Sequence, residues 1–321
     1  MLFFKRFEFL YSQFICTGAR VLYRKIFHKK YKFHGLKGRP YFSREKGNEI
    51  IAEAIKRNEP CMIARYGSVE LKATTDTIAV ELGIRKSIRK TTLEPLCNNA
   101  GFFPRDCSLA EKFGKMMKEC SENVDVLAVW YWTMEPYMIK NYCKSSVLIN
   151  PYSLEPYYYE SPWSKELEGK KVLVIHPFAE TIREQYKKRK LLFANESVLP
   201  EFELITVKAV QSIGGVNDSY DNWFEALEFM KNSISNCDFD VAIIGCGAYG
   251  FMLASYVKDL GKIAIHIGGA TQLLFGIKGH RWTDHPKAYP ELNKMMNEHW
   301  VFPDVQDRPK AADTVENACY W

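Results

Sequence analysis

The sequence lacks any pair of cysteines in a C-x-x-C arrangement, although it contains nine cysteines among 321 residues. Zinc ribbons and thioredoxin-type redox sites need such pairs, so both classes are excluded. The cysteines lie singly along the chain, and an odd number without framework spacing indicates reduced thiols. We therefore expect a cytoplasmic protein whose cysteines are mostly buried as small hydrophobic residues.

The N-terminal region also lacks an apolar run of the roughly 20 residues that a membrane-spanning helix requires. Its longest uncharged stretch extends only from Phe9 to Ala19. No small-residue cleavage site follows a clean apolar core, so the region does not read as a signal peptide.

Acidic residues are nearly absent from the first 40 residues, which contain ten lysines and arginines and the single acid Glu8. This segment therefore carries a charge of +9, and the rest carries −3, because the whole chain has a net charge of +6. A body without excess positive charge is not typical of nucleic-acid binding, so no nucleic-acid partner is expected.

Residues 1–44 are predicted to form a basic amphipathic arm. This pattern is typical of a helix that lies on anionic lipid, here at the inner face of a membrane. An amphipathic helix packed on the body of the protein would show the same pattern. The apolar residues that could share one helix face, and the basic residues that follow them, are Phe3, Phe7, Leu10, Phe14 and Ile15, then Arg20, Arg24, Lys25, Lys29 and Lys30.

Residues 45–321 alternate between helix-like and strand-like stretches. The strand-like stretches are short apolar runs without strict alternation, as in strands that are covered on both faces. Because helical stretches lie between several of them, we predict a doubly wound, mainly parallel Rossmann-like α/β sheet with helices on both faces. The runs are residues 61–65, 124–130, 146–150, 171–176, 202–208, 240–245 and 262–268.

Gly245, Gly247 and Gly250 form a G-x-G-x-x-G pattern directly after one of these runs. In dinucleotide-binding folds the first glycine permits a tight turn, the second lets a diphosphate approach, and the third lets helix and strand pack closely. The N–H groups at the helix start favour an anion. The pattern predicts a phosphate or nucleotide site, although a purely structural turn would use the same glycines.

An NAD(P)-dependent oxidoreductase is one enzyme class that the glycine pattern leaves open. Such an enzyme should have an acidic residue at the end of the next strand to bind the ribose. Here the run 262–268 ends in glycines instead. A methyltransferase loop usually opens its fold, whereas only about 70 residues follow this one, too few for the rest of such a sheet.

A second informative turn follows the first apolar run. Arg65 ends that run, at the sheet edge where open α/β folds bind ligands, and its guanidinium could grip a phosphate. Gly67 allows a sharp turn. Glu70 begins the next helix, where it could ligate Mg²⁺ or Mn²⁺ or take a proton from an acceptor hydroxyl. An ordinary Arg–Glu pair at a helix start is the alternative.

Four other residues are candidates for the same crevice. His176 and Glu180 follow the run 171–176, and either could act as a general base. Lys278 and Arg281 could neutralise the charge on a departing diphosphate. Structural roles would explain each of them equally well. The aromatic ending at Tyr320 and Trp321 suggests that the tail is docked on the body.

Several segments resemble glycosyltransferases with the GT-D fold. RYGSVEL, at residues 65–71, resembles the R-[FY]-G-D-G-E-L segment of that family. The segment HPFAETI, residues 244–282 and the ending ENACYW are also similar to proteins of this group. The resemblance covers roughly residues 45–321 and leaves out the basic arm.

The resemblance implies transfer of a sugar from a nucleotide donor, often UDP-linked, to a glycan or lipid-linked glycan acceptor during surface polysaccharide or glycoconjugate assembly. The family's D-x-E motif, associated with the donor diphosphate and a divalent metal, falls on Ser68-Val69-Glu70. Glu70 would therefore hold Mn²⁺ or Mg²⁺, but Ser68 brings no charge, which puts metal dependence in doubt. A non-catalytic nucleotide- or glycan-binding homologue is thus a further alternative.

Overall fold

The computed structural model of the chain describes residues 2–27, 36, 38–212, 214–307 and 319–321. Within these residues eight strands form one sheet in the order β1-β4-β3-β2-β8-β7-β5-β6, and every neighbouring pair is parallel. The predicted parallel α/β fold class is confirmed. The strands are β1 Tyr41–Phe42, β2 Cys61–Arg65, β3 Val126–Ala128, β4 Val147–Ile149, β5 Lys171–His176, β6 Glu203–Lys208, β7 Val241–Ile244 and β8 Ile263–His266.

Helices connect the strands and cover the sheet. In the body these are α3 Arg44–Arg57, α4 Ser68–Glu81, α5 Lys90–Ala100, α6 Cys107–Cys120, α7 Glu135–Asn141, α8 Ala179–Lys187, α9 Arg189–Leu192, α10 Trp223–Ser235, α11 Gly250–Asp259, α12 Thr271–Leu274, α13 His280–Thr283 and α14 Pro290–Met295. Their apolar sides form two separate core clusters.

Alternate residues of a strand point into different clusters. In β2, Met62 and Ala64 belong to the cluster that contains Phe113 of α6, whereas Ile63 belongs to the cluster that contains Ile51 of α3. All of these side chains are fully buried. The strands are therefore covered on both faces, which explains why their sequences are continuous apolar runs.

Local sequence features explain where α3 begins and ends and how the chain passes from it into β2. Helix α3 begins where the Ser43 hydroxyl accepts a hydrogen bond from the N–H of Lys46, and it ends at Asn58, which is left-handed with φ of 54°. Glu59 and Pro60 then turn the chain into β2. Strand β1 precedes α3 and lies within the segment assigned to the arm, so the sheet begins before residue 45.

The N-terminal arm packs on the body through one side. Helix α1 spans Leu2–Gln13, a π-helical stretch covers Phe14–Ala19, and α2 spans Arg20–Phe27. Phe9 is buried with its ring edge-on to Tyr137, 5.2 Å between centroids. Glu8 pairs with Lys140 at 2.5 Å, and Arg6 donates to the carbonyl of Leu82. The docking face is thus different from the predicted apolar face.

The predicted apolar face of the arm points away from the body. Phe3, Phe7, Leu10 and Phe14 are exposed, while Ile15 is half-buried. Lys25 is exposed; Lys29, Lys30 and the side chains of Arg20 and Arg24 lie outside the described residues. Among the described helices, none is both long and apolar enough to cross a membrane.

Candidate functional site

A cleft of about 420 Å³ opens at the carboxyl edge of the sheet. Its walls come from the residues that follow β2, β5, β7 and β8, as expected for an open parallel sheet. The structure brings together eight of the residues singled out in the sequence: Arg65, Gly67, Ser68, Glu70, His176, Gly245, Gly247 and Arg281.

Three other predicted residues do not line the cleft. Glu180 is about half exposed and pairs with Arg183 on the outer surface of α8. Lys278 lies beyond the cleft, where its N–H donates to the carbonyl of Val301 at 2.7 Å. Gly250 is buried behind the turn at the start of α11. Neither Glu180 nor Lys278 therefore lines the cleft in this structure.

Arg65 reaches the cleft because Gly268, just after β8, leaves room for its guanidinium. A Cβ atom on Gly268 would lie 2.0 Å from Nη2 of Arg65, and Gly268 itself has a φ of +81°. The guanidinium therefore lies against the backbone at the end of β8, and its Nη1 donates to the carbonyl of Tyr66 at 3.3 Å. Gly268, one of the two glycines found where nicotinamide enzymes have a ribose-binding acid, instead makes room for this arginine.

Glu70 folds back over the start of its own helix. It is the third residue of α4, and a Cβ atom on Gly67 would lie 1.9 Å from its Oε2. A carboxylate there is stabilised by the positive end of the helix dipole. Among the described residues that line the cleft, Glu70 is the one acidic side chain, and Arg65 and Arg281 are the two permanent cations.

This set of side chains fits a divalent metal poorly. Mg²⁺ and Mn²⁺ favour several oxygen ligands with carboxylates among them. Besides the carboxylate of Glu70, the lining side chains offer neutral donors, among them the hydroxyl of Ser68 and the amides of Asn98, Asn99 and Gln211. No cluster of three or more His, Cys, Asp or Glu side chains suitable for a metal occurs in the part of the chain that the structure describes. Two guanidinium groups supply positive charge in the same space.

His176 is a neutral side chain at the end of β5. It is 3% exposed, and burial lowers its pKa to about 3 although Asp307 acts in the opposite direction. Its Nδ1 accepts a hydrogen bond from the N–H of Phe178 at 3.0 Å. A neutral imidazole whose Nδ1 accepts carries its proton on Nε2. His176 is therefore arranged as a hydrogen-bond donor, whereas the sequence suggested a general base.

The glycine turn after β7 is filled by protein atoms. A Cβ on Gly245 would lie 2.7 Å from the carbonyl oxygen of Gly268, and one on Gly247 would lie 2.6 Å from that of Ala100. A Cβ on Gly250 would lie 2.4 Å from Nε2 of His266. Close packing of the chain on itself thus explains all three glycines, although Gly245 and Gly247 still border the cleft.

Tyr320 and Trp321 both line the cleft, although no motif in the sequence indicated that they belong to the site. The N–H of Arg281 donates to the carbonyl of Cys319 at 2.7 Å, and the Arg281 guanidinium lies 4.4 Å from the Tyr320 ring centroid. Gly269 leaves room for the Tyr320 ring, which a Cβ would approach to 2.5 Å. The docked tail predicted from its aromatic ending is present, and it holds Arg281 in place.

Comparisons with known proteins agree with the family resemblance. The model of the GT-D-like family, described as a GT-D fold-like domain, matches residues 133–274, less than half of the chain. No curated protein matches the sequence. The resemblance to the GT-D group is therefore confirmed over this segment, and a GT-D-like fold suggests a glycosyltransferase.

Two solved structures also match this chain. One is described as a highly conserved domain of unknown function 1792 with a distinct glycosyltransferase fold, at 13% identity and a TM-score of 0.45. The other is a selenomethionine-substituted structure of domain of unknown function 1792, at 12% identity and a TM-score of 0.45. Each comparison covers 85% of this chain and 94% of the other.

Proposed function

We propose that this protein is a glycosyltransferase that moves a sugar from a nucleotide-diphosphate donor, with UDP-sugars the first to test, to a glycan or lipid-linked glycan acceptor. Polysaccharide or glycoconjugate assembly is the corresponding process. One observation carries the proposal: Arg65 and Arg281 line the same cleft as the carboxylate of Glu70, at the carboxyl edge of a GT-D-like fold.

The two arginines suit a diphosphate leaving group. Guanidinium groups bind phosphate oxygens through paired, charge-assisted hydrogen bonds. As the bond between sugar and diphosphate breaks, negative charge grows on the phosphate oxygen, and fixed cations stabilise that charge. Because these groups supply positive charge at the cleft, we propose that transfer depends little on Mn²⁺ or Mg²⁺ and that Glu70 serves another role.

Glu70 is the best candidate for the base that deprotonates the acceptor hydroxyl. It is the acidic side chain of the cleft, and general bases must lie within hydrogen-bond reach of the reacting group. His176 would instead donate from Nε2 to an oxygen of the donor, because its Nδ1 is already occupied as an acceptor.

The proposal is tested with purified protein, UDP-sugars and EDTA or Mn²⁺. Calorimetry should detect UDP binding in EDTA, and an acceptor mixture should release UDP from one member of a UDP-sugar panel. Glu70→Gln should still bind UDP within about threefold but lose at least 100-fold in transfer. Glu180→Gln is the matched control, since Glu180 lies outside the cleft, and it should behave like the wild type.

Failure to bind any nucleoside diphosphate would refute the donor site. Binding without transfer in any combination would favour the non-catalytic homologue. Binding only in the presence of Mn²⁺ would refute the proposed role of the arginines in place of a metal. Enhanced fluorescence of NADH on mixing would instead revive the oxidoreductase, which has no support beyond its glycine pattern.

We further propose that the arm rests on anionic lipid. Phe3, Phe7, Leu10 and Phe14 are exposed on a helix whose other side is fixed to the body, and the following sequence is strongly basic. Aromatic burial and roughly 1 kcal/mol per basic residue near an anionic surface would act together. The fraction of protein that sediments with phosphatidylserine vesicles should fall when Phe3 and Phe7 are replaced by serine. Equal sedimentation with neutral vesicles would contradict the proposed contribution of the basic residues.

A further inference from the structure

Trp132 stands at the rim of the cleft on the loop after β3. Its side chain lines the cleft and is 37% exposed, which is unusual for so large an apolar ring. Its indole N–H donates to the carbonyl of Tyr66, 3.2 Å away and next to Arg65 in the sequence. The exposed ring is thus fixed at one edge beside the charged part of the site.

The loop that carries Trp132 is rigidly built. The fully buried carboxylate of Glu135 accepts hydrogen bonds from the N–H groups of Trp132, at 2.8 Å, and Trp130, at 3.3 Å. Tyr131 and Met134 are held in the left-handed region, with φ of 58° and 67°. Non-glycine residues there cost about 1–3 kcal/mol each and persist where a function needs the conformation. A buried acid and two strained residues therefore fix one exposed ring.

Other aromatic rings continue from Trp132 away from the cleft. Trp130 lies beneath it in a stacked arrangement, 6.0 Å between centroids. Tyr152 packs edge-on to Trp130 at 5.8 Å and is 42% exposed. The guanidinium of Arg44 lies over the Tyr152 ring, 5.3 Å from its centroid. Trp132 and Tyr152, here called the aromatic rim, thus present two exposed rings on one continuous support.

We propose that the aromatic rim binds the acceptor glycan, with sugar rings lying against Trp132 and Tyr152. This inference rests on the proposed glycosyltransferase function. Rigid aromatic faces provide large apolar contact area at low entropic cost, which suits the C–H faces of sugar rings. An acceptor of several sugars must extend beyond the cleft, and the rim leads outward from it. A nucleobase would need enclosure, which two separate exposed rings do not give.

The test compares wild type with Trp132→Ala, Trp132→Phe and Tyr152→Ala. Phe229→Ala is the control, because Phe229 is an equally exposed aromatic residue on α10, where it contacts Tyr220 and does not line the cleft. Binding is measured on an array of immobilised oligosaccharides of one to six sugars, UDP binding by calorimetry, and folding by thermal unfolding.

Wild type should bind some oligosaccharides more tightly as they lengthen. Trp132→Ala and Tyr152→Ala should each weaken that binding at least tenfold, Trp132→Phe should weaken it less, and Phe229→Ala should not change it. The affinity for UDP should stay within about twofold in Tyr152→Ala and Phe229→Ala, and in the Trp132 variants it should fall less than the affinity for oligosaccharides. Tyr152 is the surface position that tests the rim if Trp132→Ala unfolds.

If Trp132→Ala lost as much affinity for UDP as for glycans, the proposal would be overturned in favour of stacking of Trp132 on the nucleobase. Absence of oligosaccharide binding by a wild type that binds UDP would also overturn it and leave the proposed donor site intact. Oligosaccharide binding through the rim without any nucleotide binding would instead support the rim and contradict the transferase.

Discussion

Two turns lead from a strand into a helix at the carboxyl edge of the sheet, and they differ in what fills the space beside their glycines. After β2, Gly67 makes room for the carboxylate of Glu70, and Arg65 faces the cleft. After β7, the space beside Gly245 and Gly247 is taken by carbonyl oxygens of Gly268 and Ala100.

The difference shows that a glycine pattern and a charged ligand site can be separate features of one sheet edge. The three-glycine pattern is the stronger sequence signal, yet its glycines allow the protein to pack on itself. The turn after β2 has a weaker pattern but supplies a cation and an acid to the cleft. We therefore expect substitutions at the first turn to affect the ligand and substitutions at the second to affect stability.

The largest effect is expected from Arg65→Ala. Removing a guanidinium that faces a diphosphate should weaken UDP binding about 100-fold, or about 3 kcal/mol. Arg65→Lys keeps the charge but loses the paired hydrogen bonds, so its UDP affinity should lie between those of the wild type and Arg65→Ala. Calorimetry with UDP measures this, and thermal unfolding reports whether the fold is intact. Unchanged UDP affinity in Arg65→Ala would remove the first turn from the donor site.

His176 lies at a third strand end, and it should make the free energy of unfolding depend on pH. Since burial holds its folded pKa at about 3, below the ordinary 6.5, the unfolded chain takes up a proton first as the pH falls. The folded state therefore loses stability between pH 6.5 and 3, by about 2 kcal/mol at pH 5, and keeps it above pH 6.5.

The substitution His176→Gln removes the titrating imidazole and with it this pH-dependent loss of stability. The stability difference between wild type and variant should shift by about 2 kcal/mol in favour of the variant when urea unfolding at pH 7.5 is repeated at pH 5. His266, whose burial also lowers its pKa, is present in both proteins, so its effect cancels. A pH-independent difference would mean that His176 has the same pKa in the folded and unfolded states, so that its neutral imidazole could take up a proton as a general base.

The smallest effect is expected from Gly250→Ala. The added methyl group meets Nε2 of His266, so the free energy of unfolding should fall, by about 1 kcal/mol because alanine in a helix offsets part of the cost, while UDP affinity is unchanged. The same substitution in a His266→Ala background should cost less, because the obstructing ring is gone. A stable Gly250→Ala protein that no longer binds UDP would reverse the comparison and make the glycine turn the phosphate site.

The sheet could be predicted well because its strands are buried on both faces and so form short apolar runs. The exception was β1, whose two residues, Tyr41 and Phe42, are too few to form a pattern. The order of the strands was beyond the sequence, since it depends on contacts between distant segments such as β2 with β8.

The site could be predicted where a side chain directly ends a strand, as with Arg65 and His176. Prediction failed one helical turn further, because the sequence does not tell which side of α8 faces the cleft, and Glu180 turned out to face outward. Trp132 and Tyr320 were missed for another reason. Trp132 is fixed by backbone hydrogen bonds to Glu135, and Tyr320 by a gap beside Gly269, and neither arrangement leaves a motif.

Because the docked tail forms part of the cleft, the cleft is built from residues near both ends of the described chain. Arg65 is made early in synthesis, whereas Tyr320, which lies against Arg281, is made at the very end of this sequence. A nascent chain halted before residue 319 would already contain every strand of the sheet but would lack one wall of the cleft. Completion of this site would then follow formation of the sheet rather than accompany it.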